Sequence, residues 1–63
     1  MQEILAKNTS QLGLCLKLLY SENVDFTVTV RENEKLKIEY SVIVDVDQKK
    51  FEKLKVSYRI LIS

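Results

Sequence analysis

One thiol, nine carboxylates and ten cationic side chains are the reactive inventory of this 63-residue chain, which holds no histidine. Catalysis needs acids, bases or nucleophiles in reach of one another, and the commonest general base is missing. Cys15 therefore has no imidazole to activate it. It lies between Leu12 and Leu19 in an apolar run, where a free cysteine behaves as a small hydrophobe. Glu32 and Glu34 flank Asn33, and Asp45 and Asp47 flank Val46. Acids two apart near strand ends are solvated loop residues far more often than metal ligands, and the other ligands of a calcium loop are absent. A phosphate-cradling loop needs several glycines, and Gly13 is the single one. One thiol without histidine makes neither a zinc site nor an internal disulfide. The expectation is a non-enzymatic protein without metal or cofactor.

Charge is the remaining polar signal. Residues 1–46 carry five basic and seven acidic groups, and residues 47–63 carry five basic and two acidic ones. Lys49, Lys50, Lys53, Lys55 and Arg59 could therefore contact phosphates. The plainer reading, and the preferred one, is the wet face of a helix.

Those side chains must be positioned by a very small number of elements. Asn8, Thr9 and Ser10 are good helix N-caps. Leu12, Cys15, Leu16 and Leu19 then follow at i, i+3, i+4 and i+7, one helical face, and Asn23 suits a left-handed C-cap. This predicts a helix over 10–21. Leu14 and Leu18 form a second apolar stripe on it, expected either to widen the core contact or to meet another subunit. Gly13 within that helix suggests a close backbone approach.

From Asp25 onward the period changes to two. Phe26, Val28 and Val30 alternate with Asp25, Thr27, Thr29 and Arg31. After a polar break at 32–35, Leu36, Ile38, Tyr40, Val42, Val44 and Val46 alternate with Lys37, Glu39, Ser41, Ile43 and Asp45. Two such runs predict a β-hairpin with one face in the core. Asp47 can cap a second, short helix carrying Phe51 and Leu54. The expected core is Leu12, Cys15, Leu16, Leu19, Phe26, Val28, Val30, Ile38, Tyr40, Val42, Val44, Phe51 and Leu54.

The ends are harder. As a strand, "VSYRILIS" (56–63) points Val56, Tyr58, Ile60 and Ile62 inward and misplaces Leu61 alone. As a helix it extends the stripe Phe51, Leu54, Tyr58, Leu61 and misplaces Val56 and Ile60. Val, Tyr and Ile favour strands, so strand is preferred. "QEILAK" (2–7) reads as a first strand, because three cap residues in mid-helix would be awkward. The result is one α+β domain over 1–63, a small antiparallel sheet with helices on one face in ferredoxin-like β-α-β-β-α-β order. The alternative is α-β-β-α with a continuous C-terminal helix. In pattern alone, "LKLLYSENVDFTV" resembles small ferredoxin-like regulatory modules, and it transfers no site.

A four-stranded sheet with two helices also suggests RNA, which such modules bind by stacking bases on exposed aromatics. The outward positions here carry no aromatic, which argues against that mode. No apolar run reaches membrane-spanning length, and residues 1–3 do not begin a signal peptide. The expected function is that of an interaction or regulatory module, a cytoplasmic homodimer meeting its partner through Leu14, Leu18 or an exposed strand edge. The alternatives are a nucleic-acid-associated protein using the basic 49–59 segment and a small inhibitor of another protein.

Overall fold

Each helix begins where a short polar side chain can accept from the first free amides. In this computed structural model, which describes residues 2–63, Asn8 Oδ1 accepts from Gln11 N at 2.8 Å and opens α1 (Thr9–Ser21). Asp47 Oδ1 accepts from Lys50 N at 2.8 Å and opens α2 (Gln48–Ile62). The end of α1 is equally explicit. Asn23 takes the left-handed conformation (φ 54), its N–H donates to the Tyr20 carbonyl and that of Val24 to the Leu19 carbonyl. This is the paired-bond helix stop that Asn tolerates, and buried Val24 closes it against the core.

The three strands are β1 (Gln2–Ala6), β2 (Phe26–Glu32) and β3 (Ile38–Val44), in the spatial order β1-β3-β2. Both ladders are antiparallel, with Ile4 opposite Val42 and Val28 opposite Val42 on β3's other side. β1 and β2 thus run parallel to each other with β3 between them, joined through α1 as in a split βαβ unit. The small α+β domain with a β-α-β-β-α order stands as expected.

The C-terminal segment does not form the expected fourth strand. Residues 56–62 continue α2, and Val56 and Ile60 are left exposed on its outer side. Two physical facts decide it. Nothing between Gln48 and Ile62 breaks a helix, because the segment holds neither proline, glycine nor asparagine. Extending a helix adds one bond per residue fixed, whereas a new strand needs a turn first. The buried stripe is Phe51, Leu54 and Tyr58, with Ile62 partly packed behind them.

The core comprises Ile4, Cys15, Leu19, Val24, Val42, Val44, Phe51, Leu54 and Tyr58. No β2 residue belongs to it. Phe26, Val28, Val30 and Ile38 were expected inside and are exposed, while Leu12, Leu16 and Tyr40 are half-buried. The reason lies in α2. Its Tyr58 hydroxyl reaches the Leu5 carbonyl of β1 at 3.4 Å, and it shares a cleft with Glu3, Ile4 and Leu5. The helix layer is therefore centred toward β1 and covers β2 only in part, with Val30 the most open of its apolar residues. The opposite sheet face mixes Leu5 and Ile43 with polar side chains, among which the Ser41 hydroxyl donates to Glu3, which also pairs with Arg31 at 3.4 Å.

Gly13 does not mark a close approach, since a Cβ built on it meets nothing within 4 Å. Gly13→Ala should therefore stabilise the fold by about 1 kcal/mol through helix propensity alone. A denaturant midpoint that falls instead would show a hidden contact at this turn.

Cys15 is fully buried, and burial pushes its thiol from 9.0 up to about 11. The unfolded chain loses this proton near pH 9 while the folded chain keeps it. Stability from this group is thus fully present below pH 9 and is lost as pH rises through about 11. The Tyr58 hydroxyl is raised as well, first by burial and then by the charge of Cys15, and adds in the same direction. Native protein at pH 8 should react with a thiol reagent at least a hundredfold more slowly than denatured protein, given that thiolate is the reactive form. Equal rates would place Cys15 outside the core.

Candidate interaction surface

The hairpin turn sets which backbone groups of β2 are free. Asn33 N–H donates to the Lys37 carbonyl at 3.0 Å, and Leu36 N–H returns to the Asn33 carbonyl at 2.9 Å. The Asn33 side chain accepts from Lys35 N at 2.9 Å and Lys37 N at 3.1 Å. Leu36 stands in the left-handed region at φ 59. This is a three-residue hairpin loop closed by a turn and a left-handed residue, a connection that fixes register.

Asn33 and Lys37 are thus a hydrogen-bonded pair, and such pairs alternate along an antiparallel ladder. Arg31 with Glu39, Thr29 with Ser41 and Thr27 with Ile43 are then bonded to β3. The N–H and C=O groups of Phe26, Val28, Val30 and Glu32 point away from β3, toward solvent. The same alternation, carried across β3, turns the backbone groups of Glu3 and Leu5 outward from β1. The Tyr58 bond to the Leu5 carbonyl is what that phase requires.

The two sheet edges therefore differ. Along β1, Tyr58 of α2 reaches one of the outward carbonyls, that of Leu5, and Lys55, Arg59 and Ile62 stand nearby. Along β2, all seven residues are exposed. Three of the four residues with outward amides carry the strand's apolar side chains: Phe26 is 38% exposed, Val28 37% and Val30 62%, while the fourth is Glu32. Ile38 and Leu36 extend this apolar surface around the hairpin end. Neither proline nor a bulge blunts the strand, and lysine is absent from it. An edge of this kind is a ready template for pairing with another chain.

The residues singled out from sequence fall elsewhere. Leu14 and Leu18 are half-buried on α1, and of the two only Leu18 packs partly against the core. The basic residues of α2 divide into two groups. At about 100° per residue, Lys49, Lys50 and Lys53 share one side of the helix, beside Glu22 and Asp47. Lys55 and Arg59 lie on the other side, beside Glu3 and Tyr58. Lys55 Nζ also sits 5.4 Å from the Phe51 ring centroid. Each group is interleaved with acids, and the two do not merge into one basic surface. Among the described residues, no three of Cys, Asp and Glu gather as metal ligands would. No described helix is long and apolar enough to cross a membrane.

Sequence reading located the sheet edge but not its phase. The signal was present in Asn33, whose side chain closes the turn and so determines which β2 amides face out. Comparison of the chain with protein-family models, with curated proteins and with solved structures finds no significant match to any of them.

Proposed function

We propose that this chain is a small non-enzymatic interaction module that works by protein–protein contact along β2 and forms a homodimer there. One observation carries the reading: β2 presents its apolar row and its unpaired amides together, on a strand with no fully buried residue. A domain of this size, with neither disulfide nor zinc site, also gains most from a partner subunit. Two-fold dimers are the commonest closed assembly. The single unpaired thiol fits a reducing, cytoplasmic setting.

Sedimentation equilibrium tests the proposal. At micromolar concentration the expected mass is that of two chains, falling toward one chain on hundredfold dilution. The association should hold or strengthen as salt rises, because apolar and backbone contacts dominate. A mass of one chain across the whole range overturns the reading. Tight association with nucleic acid that collapses steeply with salt would transfer the function to the lysines of α2.

A further inference from the structure

We infer that β2 pairs with β2 of a second copy in one antiparallel register, centred on Val28, locked at both ends by Asp25 against the partner's Arg31. This deepens the homodimer reading above and rests on it.

The backbone phase makes the register available. Val28 has its N–H and C=O directed outward, so two copies related by a two-fold axis through Val28 exchange both bonds there. Phe26 then meets the partner's Val30, again as a hydrogen-bonded pair, and Val30 meets the partner's Phe26. Roughly six inter-chain backbone bonds result, two for each bonded pair. The sheet becomes continuous across six strands, with the helix layers of both copies on one side.

Side chains select this register over its neighbours. On the helix-side face it sets Val28 against Val28, and Phe26 against Val30 twice. Aromatic with β-branched is a favourable cross-strand combination. On the open face it sets Thr27 against Thr29 twice. Asp25 immediately precedes β2 and Arg31 is its penultimate residue. They are equidistant from Val28, so each Asp25 stands opposite an Arg31. This falls at the non-hydrogen-bonded type of pair, where side chains come closest. A two-residue slip in one direction, to a centre at Thr29, sets Phe26 against Glu32 and leaves Asp25 unmatched. A slip in the other, to a centre at Thr27, drives Arg31 against Asn23 at the end of α1. Arg31 is held within its own chain by a single 3.4 Å contact to Glu3, and its side chain is 57% exposed. Its remaining donors are therefore free for a second carboxylate.

The test uses two single variants, Asp25→Lys and Arg31→Glu, each confirmed as folded by circular dichroism and weighed by sedimentation alone and mixed. Each variant alone faces like charge at both ends of the pairing and should dissociate roughly tenfold more readily than wild type. Mixed in equal amounts they should recover a two-chain mass. The lysine introduced in one chain then faces the glutamate introduced in the other, and the Arg31 kept by the first faces the Asp25 kept by the second. The chain carrying both exchanges, D25K with R31E, should self-pair as well as wild type. Asp25→Lys on its own keeps the Arg31–Glu3 contact, so its weakened self-pairing keeps the test open if R31E folds poorly beside Glu3. In about 1 M salt the differences should shrink. Wild-type dimers whose variants associate equally well, or whose mixture recovers nothing, overturn the register and leave the homodimer standing. A wild type that stays monomeric overturns both.

Discussion

Val28→Pro should give a folded monomer, and Thr29→Pro should not fold stably. The two substitutions are adjacent and introduce the same residue, and they differ chiefly in where the lost N–H points. The Val28 N–H faces away from β3, so proline there removes no ladder bond, and proline is tolerated on edge strands in that orientation. The inter-chain pairing at the centre of the dimer is removed. Thr29 is a bonded partner of Ser41. Proline at Thr29 deletes a ladder bond in the β2–β3 hairpin and leaves a carbonyl of β3 unpaired, a cost on the order of 3 kcal/mol. A domain of this length has roughly 3–9 kcal/mol in total. Circular dichroism with sedimentation on both variants checks the pair of outcomes. A Val28→Pro chain that unfolds, or a Thr29→Pro chain that folds, would mean that the phase drawn from Asn33 is inverted.

Leu19→Ala should be the most damaging of the leucine truncations in α1. Leu19 is fully buried in the centre of the core, and its loss should cost roughly 2–5 kcal/mol, including the cavity left behind. Leu16 shares the same helical stripe in sequence but is only half-buried. Leu16→Ala should cost about half as much, on the order of 1–2 kcal/mol, because less surface leaves water when it folds. Urea denaturation of both proteins measures this, with unchanged slopes showing that stability alone has moved. Equal losses would mean that Leu16 is covered in solution, most directly by a partner subunit.

What was legible in the sequence follows the range over which each signal acts. Asn8, Asn23 and Asp47 mark helix ends through bonds that span three to five residues, and each is found where the residue type placed it. The alternation in β2 and β3 correctly assigned Phe26, Val28 and Val30 to the helix side of the sheet. It carried no information on whether a helix would lie over them. That depends on where α2 docks, which depends in turn on Tyr58 meeting β1 at Leu5, 53 residues away along the chain. The ambiguity at 56–62 has the same origin. Both periodicities fit the segment, and the choice was made by helix continuity rather than by pattern. For the interaction surface, the bare edge could be named from Val, Thr and Phe content. Its hydrogen-bonding phase needed the register, and the packing of Leu18 against the core depends on tertiary contacts that the helical stripe does not reveal.

The position of β3 between the other two strands imposes an order on events. β2 and β3 are joined by a tight loop and can zip together locally on the microsecond scale. β1 must find β3 from far away along the chain: the Glu3–Ser41 contact spans 38 residues. Contacts of such separation form late, since the entropy of closing the loop must be met before they return anything. In the interval the hairpin stands with β3 as open as β2, and both strands offer unpaired amides beside apolar side chains. Intermolecular pairing then has two templates instead of one, and only the pairing on β2 is compatible with the native sheet. Refolding yield should therefore fall as chain concentration rises. The kinetic hazard of this fold thus lies in the central strand, which the finished molecule protects on both sides.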